Sequence, residues 1–234
     1  MSDDKRLRTP ERLHIGASRL ERIATTSAAV TIDMSWTHLG DPPISYDTAS
    51  SAPKRLLRKL GIRRYQDNPA LYAKTNFHVW RYRSEDKLDF SDSRFSFAYS
   101  EHVLEHFRFD RAIELLGELF RVLRPAGVAR IVVPDADYRT YETAEPAGFP
   151  SRSLAWNDPN KHKVRWSVYS LTLAMEFAGF EAQAITYCDE DGNFVQRNHE
   201  EAYSGLPLAD PDFAFRTDYI IRSKSLVIDG YKRA

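Results

Sequence analysis

The run Phe95-Ser-Phe-Ala-Tyr-Ser-Glu-His-Val-Leu-Glu-His106 leads through a helical stretch and a Pro-Ala-Gly turn into Val128-Ala-Arg-Ile-Val-Val-Pro-Asp135. No other segment constrains the fold of this chain as much. It reads as a buried strand, a polar rim, a covering helix and a second buried strand. From Asp110 the apolar positions Ile113, Leu116, Phe120 and Leu123 recur at helical spacing, flanked by Ala112, Leu115 and Leu119. Asp110 suits the N-cap, Arg121 and Arg124 suit the negative C-terminal end, and Pro125 stops the helix. Ile131-Val-Val shows no polar alternation, as a strand covered on both faces requires. Units of this kind build mainly parallel sheets, whose ligands bind at the carboxyl ends of the strands. Ser100, Glu101 and His102 fall at such an end.

The remaining segments supply further strands and helices. Arg12-Leu-His-Ile15 reads as a first strand turning at Gly16, Leu20 to Ala29 as a brief helix, and Ala29-Val-Thr-Ile-Asp33 as a second strand ending on a carboxylate. Asn76 to Arg81 is a third strand. A helix through Leu171, Ala174, Met175 and Ala178 ends at Gly179, where a left-handed cap belongs. Glu181 to Tyr187 and Ser225 to Asp229 are the last strands, with a turn at Asp191-Gly192.

With 234 residues, 42% hydrophobic and 12% aromatic, the chain suits a single globular domain with a large core. Zero formal charge gives no reason to expect a nucleic-acid partner. The single cysteine, Cys188, excludes an internal disulfide and favours a reducing cytoplasm. The charged N-terminus does not resemble a signal peptide, and no segment approaches the roughly 20 apolar residues of a membrane span.

Together Leu-His-Ile-Gly, a strand ending Ile-Asp, Tyr-Ser-x-His-Val-Leu-Glu-His, Arg-Val-Leu-Arg-Pro-x-Gly and Ile-Val-Val-Pro-Asp resemble class I S-adenosylmethionine-dependent methyltransferases. Among these, the chain is similar to the bacterial branch often encoded beside glycan-assembly genes. The resemblance spans roughly residues 12–231 and is strongest from 86 to 135. It implies an α/β, three-layer Rossmann-like sandwich with a seven-stranded, mostly parallel sheet whose last strand is antiparallel. It also implies a division into a flexible arm (1–11), an insertion (36–75) and an acceptor-side loop segment (136–165) within one domain (1–234). The implied cofactor is S-adenosylmethionine and the implied acceptor is a small molecule or glycan.

Motif by motif, Gly16, Ala17 and Ser18 fall where the family has its glycine-rich cofactor loop, although only the first glycine is kept. Asp33, followed by Met34, falls where the family's acid grips both ribose hydroxyls. Ser84 and Glu85 fall near the adenine position, and Ser100 and Glu101 near the sulfonium.

Methyl transfer is an in-line displacement at carbon, so the protein aligns donor and acceptor and takes a proton from a hydroxyl acceptor. His102 is the first candidate for that base, then His162, which matches the family's His-Lys near the acceptor, then His106. For His106 the stronger reading is a residue that orders its loop by hydrogen bonding. His102, Glu105 and His106 have the i, i+3, i+4 spacing of metal ligands on a helix, but many relatives carry the same letters without metal, and none is expected here. Lys54, Arg55, Arg58, Lys59, Arg63 and Arg64 form either a solvated helix face or a phosphate-docking surface. Tyr138, Tyr141, Trp156 and Trp166 either wall a sugar site or fill the core beneath a long loop. The eroded glycine loop leaves open an alternative, a degenerate methyltransferase fold that binds or scaffolds without catalysis.

Overall fold

The computed structural model describes residues 11–16, 36–40, 75–80, 87–138, 162–197 and 225–233. Within them lie eight strands: β1 (Arg12–Ile15), β2 (Trp36–Gly40), β3 (Asn76–Val79), β4 (Phe95–Glu101), β5 (Leu123–Pro134), β6 (Glu181–Cys188), β7 (Phe194–Gln196) and β8 (Ser225–Tyr231). The same described residues hold two α-helices, α1 (Phe109–Val122) and α2 (Val168–Phe177), and one 3-10 turn, Leu104–His106.

All eight strands join one sheet in the order β3-β2-β1-β4-β5-β8-β6-β7. Pairing is parallel from β3 through β5, and β8 runs antiparallel between β5 and β6. This is the Rossmann-like arrangement implied by the motifs, with one strand more than expected. The extra strand is β7, which returns from β6 through the Asp191-Gly192 turn as an antiparallel edge. Asp189 organises that turn by accepting hydrogen bonds from the backbone of Asp191 and Asn193 at 3.0 and 2.8 Å.

One hydrophobic cluster joins Leu13, Ile15, Ala98, Ala129, Ile131, Val133, Leu226 and Ile228 of the sheet to Leu115, Leu116 and Leu119 of α1 and to Leu171 and Met175 of α2. The unbroken apolar run of β5 is buried from Val128 through Val133, as its lack of alternation requires. On the opposite face the residues are buried too, but several are polar. In register across the strands stand His38, His14, Tyr99, Arg130 and Asp229, all buried. Arg130 Nε donates to Asp229 Oδ1 at 2.7 Å, and its second nitrogen reaches Oδ2. Such a fork-to-fork pair satisfies both charges away from water.

Three local expectations change. The segment Ala29 to Asp33, read as the second strand, lies outside the described residues. The strand beside β1 is Trp36–Gly40, so the expected insertion at 36–75 begins with a sheet strand. Asp110 is not the cap of α1: the helix starts at Phe109, Arg108 is the N-cap residue, two positions before the expected one, and Asp110 lies in the first turn near the positive helix end. Arg121 does more than complement the other end. Its guanidinium donates to the carbonyls of Phe90 and Leu88, at 2.8 and 2.9 Å, and to Asp92 and Glu118, tying the loop before β4 to the helix. That bond holds the Glu118 carboxyl below its ordinary pKa.

Candidate functional site

The carboxyl ends of β1, β2, β3 and β4 lie side by side, and the sequence candidates within the described residues gather along them. Gly16 follows β1 with φ of 88°, a conformation L side chains rarely adopt, and its N–H donates to the carbonyl of Leu39 in β2. Ile15 is in register with Ser100, which sets Gly16 beside the Ser100–Glu101 end of β4. At the end of β3 the N–H of Trp80 donates to the Gly40 carbonyl, and the Trp80 indole stacks on Phe107 at 5.9 Å.

Ser100 is buried, and its Oγ has no hydrogen-bond partner. Glu101 accepts a bond from the Tyr99 hydroxyl at 3.0 Å. His102 has a positive φ of 53°, costly for a side chain of this size, and its N–H donates to the Val132 carbonyl. This kink turns the chain off the sheet into the 3-10 turn and brings Glu105 back beneath the rim. His102 Nδ1 lies 3.1 Å from Glu105 Oε1; the carboxylate is 2% exposed and the imidazole 30%.

His162 reaches this cluster from far along the chain. The N–H groups of Lys163 and Val164 both donate to the Glu105 carbonyl, at 2.6 and 3.3 Å, docking the segment before α2 against the 3-10 turn. The rings of His106 and His162 then meet edge to face with centroids 4.9 Å apart. Burial lowers the pKa of His162, against the pull of Glu105, so its neutral form prevails near pH 7. All three candidate bases therefore surround one buried carboxylate. The carboxylate itself was given only the role of a ligand by the i, i+3, i+4 spacing. The structure sets Glu105 with His106 and His162 as potential ligands, their donor atoms within 4.8 Å of one another. His162 joins that group where the spacing put His102.

Trp166 is fully buried in the hydrophobic cluster and stacks on Phe109, so it is a core aromatic and walls no sugar site. Asp135, at the carboxyl end of β5, accepts from the N–H groups of Cys188 and Asp137, at 2.6 and 3.0 Å. Burial outweighs those bonds and raises its pKa. Ala17, Ser18, Asp33, Met34, Ser84, Glu85, Tyr141, Trp156 and the basic cluster from Lys54 to Arg64 lie outside the described residues.

The sequence profile of the methyltransferase-domain family matches residues 32–185. The chain belongs to that family. With its sheet order, it is a class I methyltransferase domain, and S-adenosylmethionine is the cofactor of this class. No curated protein matches the chain.

Solved structures of similar shape include an S-adenosylmethionine-dependent methyltransferase from Mesorhizobium loti. It is 16% identical, with 94% of this chain and 90% of that one covered and a TM-score of 0.46. The YcgJ protein of Bacillus subtilis is also 16% identical, covering 97% of this chain and 94% of that one, with a TM-score of 0.45. Phosphoethanolamine N-methyltransferase 2 of Haemonchus contortus, solved with S-adenosyl-L-methionine, is 13% identical over 97% of this chain and 49% of that one, with a TM-score of 0.45. Among the described residues of the methyltransferase domain, no helix is long and apolar enough to cross a membrane.

The residues present fit the cofactor. Gly16 turns the backbone where a Cβ would be strained, and the buried Ser100 hydroxyl beside it lacks a partner. A polar ligand at the carboxyl edge would supply one.

Proposed function

We propose that this domain is an O-methyltransferase acting on a hydroxyl of a small-molecule or carbohydrate acceptor. The observation that carries this reading is the His102–Glu105 pair at the rim of β4, a partly exposed imidazole held by a buried carboxylate at 3.1 Å. S-adenosylmethionine, when bound, supplies a methyl group on a positively charged sulfur, an electrophile that needs no further activation. The carboxylate fixes the ring's orientation and stabilises the imidazolium formed when a proton arrives. With Nδ1 bonded to Glu105, the acceptor's proton goes to Nε2, a buried nitrogen that the bound acceptor must reach, leaving the acceptor oxygen as the nucleophile. A hydroxyl acceptor needs such a base; an already nucleophilic sulfur or amine needs it less.

Gly16, Ala17, Ser18, Ser100 and Glu101 are the residues proposed to hold the cofactor. The ribose acid belongs immediately after β2. Because β2 ends at Gly40, Asp41, the next residue in the sequence, competes with Asp33 for that role. The resemblance to the glycan-associated branch supports a sugar hydroxyl as the acceptor, and the cytoplasm as the place where donor and acceptor meet. A second reading, a fold that binds without catalysing, draws support from Ala17-Ser18-Arg19, where the family's loop is richer in glycine.

Isothermal titration with S-adenosylhomocysteine tests the core of the proposal: one site per chain is expected. No heat of binding at millimolar ligand would remove both cofactor and function. Retained binding by D33N with loss in D41N would assign the ribose contact to Asp41.

A further inference from the structure

We propose that the outer face of α2 is an interface on which two copies of this chain pack antiparallel about a two-fold axis. Helix α2 is apolar on both sides. Its inner residues Leu171, Ala174 and Met175 are buried in the hydrophobic cluster. Its outer residues Tyr169, Leu173 and Phe177 recur at i, i+4 and i+8, which makes one stripe along the helix. They are 58%, 64% and 82% exposed. Only Glu176 among the ten residues of α2 is charged. The neighbouring helix α1 shows the contrast, for it carries Asp110, Arg111, Glu114, Glu118 and Arg121 besides its buried leucines. A helix that is apolar all round belongs where both of its faces are covered.

Charge at the two ends of the stripe points to what covers it. Arg165, exposed, stands just before α2, and Glu176, also exposed, stands at the far end beside Phe177. A stripe that is basic at one end and acidic at the other is complementary to itself when reversed. In an antiparallel pair Arg165 of one copy faces the acidic end of the other, and the two-fold axis repeats the contact. The positive end of each helix then also lies beside the negative end of the other. A parallel pair would set like ends together. A lipid surface fits less well, because α2 has no lysine or arginine with which to meet anionic headgroups.

The size of the face is adequate for the core of such a contact. Side chains of this kind at these exposures offer roughly 400 Å² of apolar surface, half of the ~800 Å² that each partner gives to a standard interface. The Tyr169 hydroxyl donates to Glu190 Oε1 at 2.9 Å, which holds the ring at the edge of the stripe and begins a polar rim. The role of this face is independent of the methyltransferase reading.

Sedimentation velocity of the full chain, from micromolar to near-millimolar concentration, tests the interface. A reversible monomer–dimer equilibrium is expected. L173E sets a carboxylate against its own copy near the axis and should weaken the dimer at least about 100-fold. V79E, at an equally exposed apolar position on β3, should leave association unchanged. R165E and E176R should each weaken it about 3- to 10-fold, since each rim pair occurs twice, and the double variant R165E/E176R should recover it. Unchanged far-UV circular dichroism and urea midpoints show that the variants fold. A chain that stays monomeric throughout, or a dimer undiminished by L173E, overturns the interface. A double variant no tighter than its parents, or species that keep growing with concentration, overturns the antiparallel two-fold pairing.

Discussion

Gly230 shows how tightly single residues are held at the centre of the sheet. It lies in β8, where an added Cβ would come 2.5 Å from the Met175 Cε and 2.9 Å from Phe180 Cγ. The methionine tip can move, but the phenylalanine ring root cannot without shifting the turn after α2. G230A should therefore overpack the core and lower stability by about 1–3 kcal/mol, read as a lower urea midpoint at unchanged m-value. Nothing in Ser-Leu-Val-Ile-Asp-Gly-Tyr marks that glycine as a packing contact, because the residues it meets come from α2 and the turn that follows. The residues of the site were more readable. His102 at the rim, His106 just after it and His162 in the acceptor-side segment are all legible in the sequence as candidate bases. Glu105's place as their shared carboxylate was harder to see, because that depends on the left-handed turn at His102 and on a segment docking from some 56 residues downstream.

Among the elements, α2 is the clearest case of local sequence setting a boundary. Ser167 accepts from the Ser170 N–H while the Ser170 hydroxyl accepts from the Ser167 N–H, a reciprocal cap, and Gly179 closes the far end at φ of 104°. S167A should destabilise the domain by about 1 kcal/mol, seen as a lowered melting temperature with an unchanged S-adenosylhomocysteine stoichiometry. The periodicity that located α1 and α2 is a property of ten or more residues and survives tertiary context. Short strands lack that safeguard. Ala29-Val-Thr-Ile-Asp33 has the stronger β-forming composition, whereas Trp36-Thr-His-Leu-Gly40 stands next to a Gly-Pro-Pro loop signature. The latter nevertheless pairs with both β1 and β3. A parallel strand is selected by its neighbours on either side, and five residues of propensity cannot encode that choice.

Across the whole molecule, the polar row from His38 to Asp229 couples the sheet to pH. Burial, and then the neighbouring ring of His38, push the pKa of His14 down to about 3 from the ordinary 6.5. The fold thus favours the neutral ring, and below pH 6.5 the unfolded chain binds the extra proton. This contribution to stability is complete above pH 6.5 and is lost progressively as pH falls from there towards 3. Urea unfolding at pH 7.5 and at pH 5 should show the loss, at up to about 1.4 kcal/mol per pH unit in the steep range, and H14Q should flatten it. An unchanged slope in H14Q would assign the acid sensitivity to other groups.

By itself the sequence determined the kind of sheet, the places of α1 and α2, the family and His102, His106 and His162 as candidates. These are written in local periodicity and in short motifs whose order along the chain is fixed. Tertiary structure alone decided which apolar segment became β2, that Trp166 belongs to the core, and that three histidines converge on one buried carboxylate. Those outcomes depend on contacts between residues distant in the chain, where burial and hydrogen-bond satisfaction outweigh local preference.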